Sequence, residues 1–329
     1  MRFKHIIEFI TQNDKFILTA HETPDGDAIG SEYAMLKALQ KLGKQARVLN
    51  SDPAAKNFKF IDGTDEINTL DNPNHLPDDV EDHVLIILDV NDTGNIGNIE
   101  KWVLPRVKDY FIIDHHDVSE NTLTSNLIEE NASSTGEILY QLFQEMKIEI
   151  DLGMAKSLFM AIVYDTGSFI YPKTSALTLR IAYELVASGV KPNEIYSKIY
   201  ETKSIGSLVL QSKVMSTLKL EYDDHVAIQT MPKEAIIESG ATYEEGHQII
   251  NIPLAAEAIR VSVFFKENLD GILRCSMRSK GNIDVAKIAQ KFGGGGHRTA
   301  AGFKCSEPLE AVKRIVLNDL KGYFEPEHS

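Results

Sequence analysis

The sequence predicts a doubly wound α/β domain built on a parallel sheet, followed by a smaller mixed α+β domain. Three observations carry this expectation. Short apolar runs alternate with helix-period segments through about the first 190 residues. Asp and His residues stand directly after those runs or on the adjoining helix. Past a polar stretch containing Gly189 and Pro192, strand-like runs follow one another and a glycine run trails a helix. The expected boundaries are 1–188 for the first domain, 189–212 for a linker and 213–329 for the second.

Residues 15–20 read as an apolar strand, and residues 29–42 have helical periodicity that stops at Gly43. Residues 46–49 form another short strand. The run 84–88 is apolar throughout, as a central parallel strand covered on both faces must be, and 110–113 repeats the pattern. Residues 135–146 and 152–164 read as helices. In the second domain 226–230, 258–265 and 271–277 look like strands, and 283–291 and 307–321 like helices. The tail 325–329 is expected to fray.

The chain has 329 residues, 43% hydrophobic and 25% charged, which suits two ordinary globular domains. No apolar stretch approaches the ~20 residues that span a bilayer. The charged first 14 residues lack the small-residue cleavage site of a signal peptide, so a cytoplasmic location without a membrane partner is expected. Cys275 and Cys305 form no Cys-x-x-Cys pair and read as reduced thiols. A net charge of −14 argues against coating long nucleic acid. Residues 259–304 nevertheless hold nine Lys/Arg against three acids, a local surplus of six positive charges that suits a small anionic ligand.

Four segments bring acids and imidazoles to the strand ends, the edge where open α/β sheets bind ligands. His21, Asp25 and Asp27 follow the first strand within a turn shaped by Pro24 and Gly26. One of these acids could simply cap the next helix, but three ligand-type residues in seven exceed what a cap needs. Asp89 follows 84–88, where a carboxylate can bridge two cations. Asp114, His115 and His116 follow 110–113, so one imidazole can ligate while its neighbour faces substrate. Asp165 ends an apolar helix. Clustered alone, Asp25, Asp27, Asp89 and Asp165 would repel and become hard to ionise. Two divalent cations would neutralise them, and mixed His/Asp ligation without Cys fits Mn²⁺, with Mg²⁺, Co²⁺ and Zn²⁺ as alternatives.

In order, these residues resemble the four motifs of the DHH phosphoesterases, a superfamily that includes RecJ exonucleases, family II inorganic pyrophosphatases and cyclic-dinucleotide phosphodiesterases. The resemblance implies one metal on His21, Asp25 and Asp89, and a second on Asp27, Asp89, His115 and Asp165, with Asp89 bridging. It also implies that Asp114 supports the site and that His116 contacts the scissile phosphate.

In the second domain Gly293, Gly294, Gly295 and Gly296 precede His297, so backbone N–H groups could approach an anion. Arg278 and Ser279, with Arg260 upstream, supply further donors. No Gly-Lys-Ser/Thr follows, so this is not a Walker loop. The segment resembles the DHH-associated C-terminal domain, and the whole chain is most similar to stand-alone oligoribonuclease and pAp-phosphatase (nanoRNase) enzymes, pAp being 3′-phosphoadenosine-5′-phosphate. Ser134 reads as a helix N-cap whose helix end could also lie near a phosphate, and it joins the candidate substrate contacts.

The expected activity is hydrolysis of short RNA or DNA oligonucleotides or of pAp. The expected mechanism is in-line attack by a hydroxide generated between two metals. His116, Asp89 and Asp114 would serve the chemistry. Alternatives are a phosphodiesterase for linear or cyclic dinucleotides and a non-catalytic nucleotide sensor. A homodimer is left open.

Overall fold

The computed structural model describes residues 2–61, 66–116, 126–305 and 307–324. The chain divides into two units, Met1–Thr202 and Lys203–Ser329. Unit 1 runs α1 (Lys4–Gln12), β1 (Lys15–Thr19), α2 (Gly26–Lys41), β2 (Gln45–Asn50), β3 (Ile67–Thr69), β4 (Val84–Leu88) and α3 (Asn98–Trp102). It continues with β5 (Tyr110–Asp114), β6 (Leu127–Ile128), α4 (Thr135–Glu145), α5 (Leu152–Asp165), α6 (Ala176–Ala187) and α7 (Pro192–Tyr200).

The six strands form one sheet in the order β3-β2-β1-β4-β5-β6, and every described pairing is parallel. Residue alternation explains why it is covered on both faces. Phe16, Leu18, Ile86 and Ile113 enter the larger core with α2, α4 and α5. Ile17, Leu85, Ile87 and Ile112 enter a second core containing Ile99 of α3. Unit 1 is therefore a doubly wound α/β domain. Its strand order reverses between β1 and β4, so their carboxyl ends open at the switch point.

Unit 2 contains α8 (Ile205–Met215), β7 (Lys219–Glu221), β8 (Val226–Met231), α9 (Lys233–Ser239), β9 (Val261–Glu267), β10 (Leu273–Ser279), α10 (Val285–Lys291), β11 (Gly295–His297), β12 (Ala300–Lys304) and α11 (Leu309–Lys321). Its mixed sheet, β11-β12-β10-β9-β8-β7, is antiparallel except for β8 and β9. Val263, Phe265 and Met277 pack with α10 and α11, while Phe264 and Met231 pack on the opposite face with α8 and α9.

Three local readings differ from the structure. The stretch 189–212 holds α7 and most of α8 rather than an open connection. Ile195 and Ile199 of α7 pack into unit 1, and Leu210 and Val214 of α8 pack into unit 2, which moves the boundary to Thr202 and Lys203. The first helix of the acidic motif starts at Gly26, because Asp25 caps it through the Asp27 and Ala28 N–H groups. Gly295, Gly296 and His297 form an edge strand on β12 rather than a loop. The tail 325–329 lies outside the described residues. Among the described residues, no helix is long and apolar enough to cross a membrane.

Candidate metal centre

The acidic and histidine side chains of unit 1 converge at the carboxyl ends of β1, β4 and β5. Asp89 directly follows β4 and adopts a left-handed backbone, φ 61°, costly for a residue other than glycine. The turn splits its carboxylate between two sets of neighbours. Oδ2 lies 3.7 Å from Nε2 of His21, which is 3.9 Å from Asp25. Oδ1 lies 3.5 Å from Nε2 of His115, which is 3.7 Å from Asp27 and 3.2 Å from Asp165. The ligand atoms of His21, Asp25 and Asp89 lie within 4.8 Å of one another, as do those of Asp27, His115 and Asp165.

Both imidazoles are oriented from behind. Nδ1 of His21 donates to the Glu22 carbonyl at 2.7 Å, and Nδ1 of His115 donates to the Ala132 carbonyl at 3.3 Å. A neutral ring then turns the Nε2 lone pair toward the carboxylates, the usual arrangement behind a metal-bound histidine. Nε2 of His115 is buried and has no hydrogen-bond partner. An imidazole with an unused lone pair among three carboxylates fits a divalent cation.

The electrostatics agree. Burial, followed by the charges of Asp89, Asp165 and Asp25, pushes Asp27 well above the usual carboxylate range. Burial and neighbouring carboxylates raise Asp165 to about 6, against the pull of His115. Burial opposes a charged His21, but its bonds to Asp25 and Asp89 outweigh burial and raise it to about 11. Burial also opposes ionisation of Asp89, yet His115 and His21 hold it below the usual range. Without cations, protons must stand in for positive charge.

Helix α4 completes the support in a way the sequence reading missed. Its first N–H groups, on Thr135 and Gly136, donate to the two oxygens of Asp27 at 2.7 and 3.0 Å. The Thr135 hydroxyl donates to Asp89 at 3.1 Å. The helix end thus meets a protein carboxylate, where a phosphate was an option from sequence. Ser134 is fully buried and accepts from Glu137 N–H at 3.0 Å, so it is the N-cap of α4. The Ser/Thr run 133–135 was the available signal, but propensity cannot reveal which acid a helix end will meet.

Asp114 is buried and accepts from Nδ1 of His116 at 2.8 Å. That bond leads the causes that raise His116 to about 9. His116 is 55% exposed at its side chain and lines an open cavity of about 630 Å³ with His21, Asp25, Asp89, Asn91 and Asn95. Nothing in the sequence marked the two asparagines. Lys173 also donates to the His115 carbonyl, at 3.0 Å.

In unit 2, Arg278 and His297 flank Ala300 on one rung, with Ser262 on the other side of Arg278. Arg260 lies two residues before Ser262 and approaches Gly281. The Ser279 hydroxyl is committed to the Ile283 carbonyl at 2.8 Å. A Cβ on Gly294 would sit 2.3 Å from the Gly302 carbonyl, so this glycine serves strand packing.

Family models match this architecture in both units: the DHH family N-terminal domain over residues 15–162 and the DHHA1 domain over residues 223–325. The chain belongs to the DHH phosphoesterase family. This DHH protein is 29% identical over 96% of each chain to the bifunctional oligoribonuclease and PAP phosphatase NrnA of Bacillus subtilis. It is 25% identical to the cyclic-di-AMP phosphodiesterase GdpP of Geobacillus thermodenitrificans, over 97% of this chain and 49% of that protein. A crystal structure of an exopolyphosphatase-related protein from Bacteroides fragilis superposes with a TM-score of 0.86 at 26% identity, covering 99% of this chain and 98% of that one.

Proposed function

We propose that this DHH phosphoesterase hydrolyses short RNA oligonucleotides and pAp using two divalent cations, with Mn²⁺ the best match to the donors. The observation that carries the reading is the Asp89 carboxylate, each oxygen of which faces a separate His/Asp set. His21, Asp25 and Asp89 would hold one cation, and Asp27, Asp89, His115 and Asp165 the other. Bound there, such cations neutralise phosphoryl charge and acidify water. Asp89 holds the two sets in register, and Thr135 and the α4 N-terminus fix Asp89 and Asp27. Asp114 orients His116, whose ring lines the cavity and holds a proton for a phosphoryl or leaving oxygen. Arg278, Arg260, His297 and the glycine run of unit 2 would bind the nucleotide.

Similarity to NrnA across both chains favours short oligonucleotides and pAp. Similarity to GdpP makes linear or cyclic dinucleotides the second reading. A nucleotide sensor would need no such complete donor set. The test is product release with Mn²⁺ from pAp, an RNA dinucleotide, a DNA dinucleotide and cyclic di-AMP. Turnover of the first two should lead by at least tenfold. Preference for cyclic di-AMP would move the assignment to the second reading, and tight binding without product would leave a sensor.

A further inference from the structure

Unit 2 lines up cations on one face of its sheet, and the one acid that acts on their aromatic neighbours, Glu244, reaches His247 and Tyr243 rather than the cations. Along β9, Val261, Val263 and Phe265 enter the core beside α10 and α11, so Ser262, Phe264 and Lys266 face the other way. Lys266 stands directly opposite Arg274 on β10, and Arg274 directly opposite Lys304 on β12. Like charges opposed across strands are destabilising. Lys266 is also only 8% exposed, where an unpaired ammonium is costly. Among the described residues no carboxylate pairs with it. Burial, then Arg274 and Arg278, hold it down at about 8.

A 3₁₀ helix, Glu244–Asn251, brings aromatic groups to the same place. The Lys266 ammonium lies 5.6 Å from the ring centre of Tyr243 and 5.7 Å from that of Phe264. His247 meets the Tyr243 ring edge-on at 5.2 Å. The Tyr243 hydroxyl is buried without a hydrogen-bond partner, as are both amide atoms of Gln229 and the hydroxyl of Ser262. Gln229 is level with Phe264 on that face. Buried polar atoms are rarely left unpaired, and a cation whose only partners are ring faces, beside the unpaired Tyr243 hydroxyl and with Ser262 further along β9 opposite Arg278, suits an anion.

We propose that the Lys266–Arg274 rung, flanked by Tyr243 and His247, is a phosphate-binding subsite. On the functional reading above, on which this part rests, it takes a phosphate of the short oligonucleotide. Arg274 lies four residues along β10 from Arg278, so the two arginines are about 13 Å apart along the strand. One extended oligonucleotide can engage both.

The test is calorimetry on the full chain in EDTA, with a 5′-phosphorylated RNA trinucleotide and with inorganic phosphate as probes. Lys266→Met and the surface change Arg274→Gln should each weaken trinucleotide binding at least tenfold. Lys266→Met should melt within a few degrees of wild type, because the two ring contacts it loses are offset by relief of a buried ammonium opposed to Arg274. Wild-type affinity for the trinucleotide in both variants would overturn the subsite. If inorganic phosphate binds as tightly as the trinucleotide and shows the same losses, the site serves free phosphate and the oligonucleotide assignment is wrong. Failure of the functional reading looks different: no hydrolysis by wild type, with Lys266-dependent binding retained.

Discussion

Replacing Gly30 by Ala should loosen the metal centre from a distance. Gly30 lies on α2 where that helix crosses α5, and an added Cβ would sit 2.5 Å from the Ser157 carbonyl oxygen and 3.1 Å from the Ala161 methyl. A comfortable carbon–oxygen contact is about 3.3 Å, so the helices must part by roughly 0.8 Å. The obstruction is backbone and cannot rotate away. Gly136 of α4 shares the same tight packing, its added Cβ meeting Ala161 at 2.5 Å. Overpacking of this kind costs about 1–3 kcal/mol, or roughly 2–10 °C in Tm for a chain of this size. Asp27 rides on α2 and Asp165 ends α5, so the displacement also spreads the set around His115. A site tolerates only about 0.5 Å of such error, and Mn²⁺ affinity should fall at least tenfold. Urea denaturation and Mn²⁺ titration measure the two effects. Gly322→Ala, with nothing within 4 Å of its added Cβ, is the control and should change neither. Unchanged melting and Mn²⁺ affinity in Gly30→Ala would refute the argument that helix contact sets ligand spacing.

Other consequences follow from single contacts. His116→Asn should lower turnover by about 10²–10⁴-fold with Mn²⁺ affinity unchanged; a matching loss of affinity would make His116 a ligand instead. Ser134→Ala should cost about 1 kcal/mol in urea denaturation and leave KM alone, as expected for a buried cap; a raised KM would return Ser134 to the substrate. Glu32 is buried behind the centre, accepts from Asn50 at 2.9 Å, and is raised by burial to about 8. The native state then keeps a proton that the unfolded chain releases near 4.5. Its contribution is complete below that pH and is lost as pH rises through about 8. Glu32→Gln should therefore gain stability on wild type between pH 5 and 8 in EDTA. A pH-independent difference would show that Glu32 ionises normally.

The sequence revealed those features whose physics is local. Residues 84–88 and 110–113 read as strands because both faces of each are covered, which demands an apolar run. Acids and imidazoles directly after such strands were visible as a site because strand ends place them there. The paired edge strand at Gly295–His297 was hidden, since glycine promises freedom and only a neighbouring strand removes it. The short strands β3 and β6 draw their pairing from longer neighbours, and their own two or three residues carry no period. Asp27 read as a metal-ligating acid of its own turn, and nothing local announced that it also receives the N-terminus of α4, more than a hundred residues away. The opposed cations of Lys266 and Arg274 were counted as composition, because only the strand register sets them face to face.

Counting bound ions tests the central claim most directly. Isothermal titration of metal-free protein with Mn²⁺ should give two sites per chain for wild type. Asp89→Asn, folded by its melting curve, should lose at least one of them together with turnover. Two sites of undiminished affinity in that variant would contradict a shared carboxylate joining the two sets.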